Sequence, residues 1–245
     1  MNKISDQAIS QPELSNDEST FSLSISDLMS ALLLIFVLLL SVTLLQLAEQ
    51  KEDNKERLDM ISEQEDAKRS IIAQLKGEME QFDIEVDPKT GVIRVKEAIL
   101  FDISESDLKQ EGKEFLRKFI PKYAEILLAR GRIRNQIAHV IIEGHADNTA
   151  PPGSNPYKYN MELSMKRAYS VAAHIFSEPF NGFQYKNIFQ KKLSVNGRSY
   201  ESPISDNGTE EGRRKNRRVE FKFSFIDWTT LQNLKSPSET FQTPF

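Results

Sequence analysis

The chain has 245 residues and a net charge of −4; 28% of its residues are charged and 39% are hydrophobic. This composition excludes a transporter with many membrane spans, a collagen-like chain and a wholly disordered chain. The slightly acidic balance lacks the broad positive charge of nucleic-acid-binding proteins, so no direct nucleic-acid partner is expected, and the absence of cysteine excludes disulfides and thiolate metal ligands.

A run without charged side chains covers residues 28–45. About twenty helical residues span roughly 30 Å, the thickness of a bilayer core, so the run predicts a single transmembrane helix over residues 27–48. A cleaved signal peptide is the alternative, but a polar, acidic leader at residues 1–26 precedes the run and no small-residue cleavage motif follows it.

The charges that flank this helix give an orientation that conflicts with the rest of the sequence. The leader has one basic residue, Lys3, whereas Lys51, Lys55 and Arg57 follow the helix closely. The positive-inside rule therefore favours a cytoplasmic C-terminus.

Residues 49–83 are rich in charge and contain no proline. Their apolar residues recur at intervals of three and four, with one gap, which predicts a helical stalk that pairs as a parallel coiled coil; a solvated single helix is the alternative. The seam residues are Leu58, Ile61, Ile72, Leu75, Met79 and Phe82.

Residues 84–226 have the pattern of a compact α/β domain, more narrowly α+β, in the order βαβαββ with helices on one face of the sheet. Strands are predicted at 92–95, 98–101, 137–143, 193–197 and 218–225, and helices at 105–130, 160–177 and 209–216. The tail at 227–245 is predicted to be loosely attached.

Five motifs in this domain resemble, in order, those of OmpA-like peptidoglycan-binding domains. They are ILFD at 99–102, EGHAD at 143–147, NxxLSxxRA at 160–168, NGR at 196–198 and NRRVE at 216–220. A transmembrane helix headed by Asp, a stalk and such a domain together resemble a MotB-type stator subunit. The leader and the segment SDLMSA at 26–31 resemble the small membrane subunit of the Zorya anti-phage systems.

Asp27 heads the apolar helix, and on a helix of 100° per residue Ser30 and Ser41 lie about 60° and 40° from it. A carboxylate on such a face is a natural proton carrier, with the two serines in support. The alternatives are a helix N-cap for Asp27 and helix packing for Ser30 and Ser41.

The resemblance also implies a site for the diaminopimelate of the peptidoglycan stem peptide. Asp147 would take its ammonium and Arg167 its carboxylate, with Asn160 and Leu163 on the same helix face as Arg167. The opposite stripe is predicted to point to the core: Met161, Met165, Ala168, Ala172 and Ile175. A loop-capping role for Asp147 and a solvated Arg167 are the alternatives, and the long loop at 148–159 leaves the pocket's shape open.

No phosphate loop, nucleophile elbow or His-Glu metal motif is present, so no enzyme, cofactor or metal site is expected. His139, His145 and His174 do not have metal-ligand spacing. The basic run at 213–218 is interpreted as a solvated short helix leading into the last strand, with one arginine supporting the domain; a nucleic-acid patch or localisation signal is the alternative.

Because peptidoglycan lies outside the inner membrane, the resemblance implies a single-pass inner-membrane protein with a cytoplasmic N-terminus and a periplasmic C-terminal domain, against the charge rule. The implied partners are a second copy in a homodimer, a ring of about five copies of a MotA-like multi-helix subunit, peptidoglycan and, indirectly, cytoplasmic defence effectors. The implied function is an ion-driven stator in anti-phage defence. A flagellar-type stator and a passive cell-wall tether remain as alternatives.

Overall fold

The computed structural model describes residues 16–82, 84–178, 180 and 182–227, with side chains from residue 25 onwards. Residues 1–15 of the predicted leader and the tail beyond residue 227 lie outside the described residues, whereas residues 16–26 of the leader are helical. The chain divides into two compact units, residues 1–59 and 60–245, which are described separately.

Helix α1 runs over Asn16–Met79 and belongs to both units. In the first unit its residues from Ile25 onwards are exposed, including the apolar run that begins at Leu28. Among the described residues, this helix alone is long and apolar enough to cross a membrane. An exposed apolar surface of this size in water marks a membrane or partner contact, which agrees with the predicted span.

The second unit consists of the last turns of α1 and a mixed α+β domain. Its elements are a 3₁₀ turn at Glu80–Phe82, β1 Glu85–Val86, β2 Ile93–Lys96, α2 Glu97–Leu100, α3 Gln110–Leu128, α4 Gly131–Gln136, β3 Ile137–His145, α5 Pro156–Phe176, α6 Lys186–Lys192, β4 Leu193–Gly197, α7 Glu210–Asn216 and β5 Arg218–Phe225.

The five strands form one sheet in the order β1-β2-β5-β3-β4. β3 and β4 are parallel, and the other neighbouring pairs are antiparallel. The predicted βαβαββ order is confirmed as β2, α3, β3, α5, β4, β5. The structure adds β1, α4 and α6, which are too short to leave a clear periodic pattern.

The predicted strand at 98–101 is wrong, because residues 97–100 form the single turn α2 and only Phe101 makes an isolated bridge, to Leu108. A four-residue apolar run fits a short strand and a helical turn equally well, and length could not decide between them.

One face of the sheet forms the core together with the helices. Alternate strand residues such as Val140, Ile142, Val219 and Phe221 are buried in one cluster with Leu116 and Phe119 of α3 and Val171 and Ile175 of α5. The last turns of α1 join this cluster through Ile71, Leu75 and Met79, each with no exposed surface. Two of the six predicted seam residues, Leu75 and Met79, are therefore core of the domain, and Phe82 is partly buried against it. Ile71, which was not predicted to lie in the seam, takes the buried position beside Ile72.

Helix α5 lies very close to the sheet, and glycine makes that approach possible. A Cβ at Gly144 of β3 would lie 2.0 Å from the carbonyl oxygen of Ser164. The helix begins where Asn155 accepts a hydrogen bond from the Lys158 amide at 3.0 Å and Pro156 occupies the first turn, both common at helix N-termini. This packing brings the α5 side chains to the end of β3.

Candidate functional site: a charged pocket at the end of strand β3

Asp147 lies two residues beyond the end of β3 and is buried. Its Oδ1 accepts hydrogen bonds from the backbone amide of Thr149 at 2.8 Å and from the Thr149 hydroxyl, and its Oδ2 accepts one from Nη1 of Arg217. Burial alone would raise the pKa of Asp147, but the hydrogen bonds from Thr149 and the charge of Arg217 outweigh it and lower the pKa. Asp147 is therefore a fixed, ionised acceptor. A carboxylate has about four acceptor sites, so there is room for one further donor.

Arg167 of α5 is 1% exposed, which contradicts both the predicted polar face and the alternative of a solvated residue. Its Nη2 donates to the Glu97 carboxylate, and its Nε donates to the carbonyl oxygen of Glu105 at 2.9 Å. Burial lowers the pKa of Arg167 despite the neighbouring Glu97, yet a guanidinium stays protonated in proteins. Its Nη1 is buried and has no hydrogen-bond partner among the described residues.

The predicted core stripe of α5 is only partly confirmed. Ala168, Ala172 and Ile175 are buried, whereas Met165 is 43% exposed and Met161 is partly buried. The buried face of α5 includes Asn160, Ser164 and Arg167 and is rotated away from the predicted stripe. Arg167 can be buried there because its charge is neutralised by the carboxylate of Glu97 inside the domain.

Glu97 joins the two predicted ligand-binding residues. Its Oε1 accepts from Arg167, and its Oε2 lies 2.7 Å from Nε of Arg217, which in turn binds Asp147. Arg167, Glu97, Arg217 and Asp147 thus form a chain of alternating charge. Sequence reasoning missed Glu97, and it expected one arginine of the basic run to support the domain without identifying Arg217. The NRRVE motif was the available signal for Arg217.

The four predicted residues Asp147, Asn160, Leu163 and Arg167 line one cavity of about 230 Å³. Its charged lining comprises three acids and three bases: Glu97, Asp147 and Glu210, and Arg167, Arg213 and Arg217. A pocket with no net charge, a fixed carboxylate and an unpaired guanidinium N–H fits a ligand that has an ammonium and a carboxylate close together.

Asn160 and Leu163 occupy different positions in this cavity. Asn160 is 1% exposed, and its Nδ2 donates to the carbonyl oxygen of Thr149 at 2.8 Å, which ties α5 to the loop that holds Asp147. Leu163 is partly buried and adds apolar surface to the wall. Direct contact of either residue with a ligand stays a prediction.

The predicted ion-carrying residues lie in the first unit, on α1. Asp27, Ser30 and Ser41 are exposed there. The Ser30 hydroxyl donates to the carbonyl oxygen of Ser26 at 2.7 Å, and the Ser41 hydroxyl donates to that of Val37 at 2.8 Å. Such bonds to the preceding turn are common for serine in membrane helices, so the supporting role of both serines stays a prediction.

A second charged cluster, which the sequence did not predict, lies on the sheet face away from the core. Glu143, His145 and Glu220 bring one ligand atom each within 4.8 Å of one another, as a metal site would. However, Lys222 binds both carboxylates and Arg218 binds Glu220 at 2.7 Å. These cations already balance the two acids, so the cluster is accounted for as an ion-pair network.

The fold and the pocket define a class. Residues 100–217 match the OmpA family, and over 145 aligned residues the chain is 34% identical to the outer-membrane lipoprotein YfiB of Pseudomonas aeruginosa, covering 54% of this chain and 78% of that protein. The chain belongs to the OmpA family.

Two further relatives extend beyond this domain. The chain is 28% identical to the Zorya protein ZorB of Escherichia coli over 204 residues, which is 81% of this chain and 85% of that protein. It is 29% identical to motility protein B of Bacillus subtilis over 157 residues, 63% of this chain and 56% of that protein.

Proposed function

We propose that this chain is the stator-type subunit of an ion-driven motor in the bacterial inner membrane, anchored to peptidoglycan and acting in Zorya-like anti-phage defence. The observation that supports the anchor best is that Arg167, whose buried Nη1 has no partner among the described residues, lines the same cavity as Asp147. The similarity to ZorB over most of both chains supports the stator and defence roles.

The ligand of the pocket is the free end of diaminopimelate in the stem peptide. Its carboxylate accepts from Nη1 of Arg167, and its ammonium donates to the remaining acceptor site of Asp147. Glu97 stays on Nη2 of Arg167 and fixes the plane of the guanidinium. Hydrogen bonds between charged groups are stronger than those between neutral groups, so these two contacts supply most of the specificity for the ligand.

The first prediction tests the pocket with substitutions that preserve its charges or shape. Replacing Arg167 with Lys keeps the positive charge but removes the planar fork, and Asp147→Asn removes the carboxylate charge with little change of shape. We expect each to lower retention of the detergent-solubilised full chain on purified sacculi at least tenfold, in line with a cost of about 2 to 5 kcal/mol for an unmatched charge.

Lys166→Ala is the matched control, because Lys166 precedes Arg167 on α5 and pairs at the surface with Glu162. Its retention should equal that of the unmodified chain. Circular dichroism of every variant separates lost binding from lost structure, which matters because Arg167 is buried. Normal retention by a folded double variant, Asp147→Asn with Arg167→Lys, would contradict the site.

Ion transport is proposed at Asp27, the acid at the head of the apolar helix. A carboxylate among lipid-facing residues can take up and release a proton, and moving one charge across about 100 mV releases roughly 2.3 kcal/mol. The helix would work inside a ring of MotA-like subunits, as one of two copies of this chain.

The second prediction is that Asp27→Asn abolishes protection against phage in cells that express the chain with its partner genes. The amide keeps the shape but cannot titrate. Asp53→Asn, also on α1, is the control and should protect normally. Full protection by a normally expressed Asp27→Asn chain would favour the passive tether. In a tether the hydroxyls of Ser30 and Ser41 need do no more than bind the preceding helical turn, as they do in this structure. Swimming defects without loss of phage protection would favour a motility stator.

A further inference from the structure

The sheet ends at β4, whose outer edge is unpaired in the described part of the chain. β4 bonds to β3 on one side, and on its other side no described backbone group bonds to residues 194–197. The strand Leu193–Gly197 contains no charged side chain. An unpaired edge presents N–H and C=O groups that can pair with another strand, and folded proteins often protect such an edge with a charge in the strand. β4 lacks that protection within its own length.

An exposed apolar stripe of α5 lies beside this edge. A Cβ at Gly197 would lie 2.7 Å from the backbone nitrogen of Met165, so α5 packs directly on β4 at this point. Met165 is 43% exposed, and Tyr169, one helical turn later, is 65% exposed. The crossover from β3 through α5 to β4 makes α5 antiparallel to β4, so Tyr169 lies back along the strand from Gly197. Met165, Tyr169 and Leu193–Gly197 together form the β4 edge surface.

Both ends of β4 have basic residues, although the chain as a whole has a net charge of −4. Lys191 and Lys192 directly precede the strand, and Arg198 directly follows it. Lys191 is exposed, and the side chain of Arg198 is 55% exposed with its Nε 3.6 Å from Oε1 of Glu143. Because Lys222 already binds Glu143, the charge of Arg198 is largely available to a partner.

These charges distinguish between two kinds of strand partner. In an antiparallel pair of two copies centred on Val195, Lys192 of one copy would lie opposite Arg198 of the other. Like charges at opposed positions are destabilising. A strand with acidic residues at its ends would instead meet a basic residue at each end of β4. The charges therefore favour an acidic segment of a different protein over a second copy of this chain.

We propose that the β4 edge surface binds an extended, acidic segment of another protein, which adds a sixth strand to the five-stranded sheet. Main-chain hydrogen bonds to β4 hold the segment, and its acidic ends pair with Lys191 and Arg198. Met165 and Tyr169 cover the apolar side chains on one face of the segment, and the flexible methionine adapts to their shape. None of the residues of this surface lines the cavity that contains Asp147, so the two sites are separate.

The experiment measures binding of labelled peptides to the detergent-solubilised full chain by fluorescence anisotropy. The acidic probe has a centre of alternating valine and threonine and two aspartates at each end. One matched probe has N-methylated central amides, which removes the N–H donors, and the other has lysines in place of the aspartates. We expect the acidic probe to bind saturably, and each matched probe to bind at least tenfold more weakly, because strand addition needs main-chain hydrogen bonds and the ends of β4 are basic.

Charge reversal tests the two ends of the strand. In the double variant Lys191→Glu, Arg198→Glu the preference should invert, so that the lysine probe binds more tightly than the aspartate probe. Lys89→Glu is the matched control, because Lys89 is exposed in the turn between β1 and β2, at the opposite edge of the sheet. This control should leave the affinity for every probe unchanged.

A second double variant, Met165→Ser with Tyr169→Ser, tests the apolar stripe. Both side chains are exposed, so the fold should be retained, and circular dichroism of every variant checks it. The acidic probe should bind about three- to tenfold more weakly, in the range of one aromatic contact. Retention on sacculi should stay normal, because neither residue lines the charged pocket.

Three results would overturn the proposal. The first is a lack of saturable binding of the acidic probe to the folded, unmodified chain. The second is equal binding of the N-methylated probe, which would show electrostatic attraction without an added strand. The third uses Val195→Cys, which gives the otherwise cysteine-free chain a single thiol on β4. A dimer linked through this thiol on oxidation would show that a second copy occupies the edge.

Discussion

Glu143 is a buried acid whose ionisation depends on its neighbours on the same strand and on strand β5. Burial alone would raise its pKa, but hydrogen bonds from His145 and Lys222 and the charge of Lys222 lower the pKa from 4.5 to about 2. Glu220, in the same cluster, has its pKa lowered for similar reasons. Between these low values and the ordinary range, the folded state binds fewer protons than the unfolded chain. Stability therefore falls as the pH falls through that window.

The third prediction is that Glu143→Gln makes the domain less stable near neutral pH and flattens the loss of stability between about pH 4.5 and 2. The amide cannot be protonated, so one of the acid-sensitive contributions disappears. Thermal unfolding of the full chain at several pH values measures this pH dependence of the stability. The control Glu211→Gln removes an exposed acid that pairs with Lys215, and a change as large as that of Glu143→Gln would contradict the assignment.

Single residues also show what could be foreseen from the sequence. The resemblance to the family's motifs implied that Asp147, Asn160, Leu163 and Arg167 would share a pocket, and they line one cavity. It did not predict the burial of Arg167, because helical periodicity assigns charged residues to the solvent face unless the partner is known. The partner, Glu97, is 70 residues away in sequence.

Among the elements, α1 differs most from its prediction. Its periodic apolar residues suggested one coiled-coil seam, but periodicity shows only that a helix has an apolar face and not what covers it. Ile71, Leu75 and Met79 pack inside the domain, while Leu58 is 66% exposed and Ile61 is 42% exposed. The part of the seam that stays exposed in this domain is therefore the part nearest the apolar run, and this is where we would expect a second copy to pack if the chain dimerises as proposed.

The fourth prediction separates these two parts of the helix. Leu75→Ala should destabilise the domain by about 2 to 5 kcal/mol, because it leaves a cavity in a packed core. Leu58→Ala should leave the unfolding midpoint nearly unchanged and weaken cross-linking between copies. Chemical unfolding and cross-linking of both variants in detergent provide the two readouts, and loss of domain stability in Leu58→Ala alone would reverse the assignment.

For the molecule as a whole, orientation is the point on which two sequence rules disagree. The leader has one basic residue and four acidic ones, Asp6, Glu13, Asp17 and Glu18, whereas basic residues follow the span. Local charge thus favours a cytoplasmic domain. An OmpA-family domain that binds peptidoglycan, as proposed here for this chain, can reach it only outside the inner membrane, so we propose the periplasmic placement.

The fifth prediction is that a reporter active only in the periplasm works when fused after Phe245 and fails when fused before Met1. The two fusions control for each other, since each tests one side of the same membrane. The reverse pattern would place the domain in the cytoplasm, away from the cell wall, and would remove the basis for the stator.

The balanced lining of the pocket has a consequence for how the anchor responds to its surroundings. With as many acidic as basic side chains around the cavity, its electrostatic field falls off quickly with distance, so dissolved ions have little long-range attraction to screen. Capture of the proposed ligand would then be decided by short contacts inside the cavity. We therefore expect binding of the proposed ligand to change little with ionic strength, which would suit a compartment whose salt content follows that of the medium.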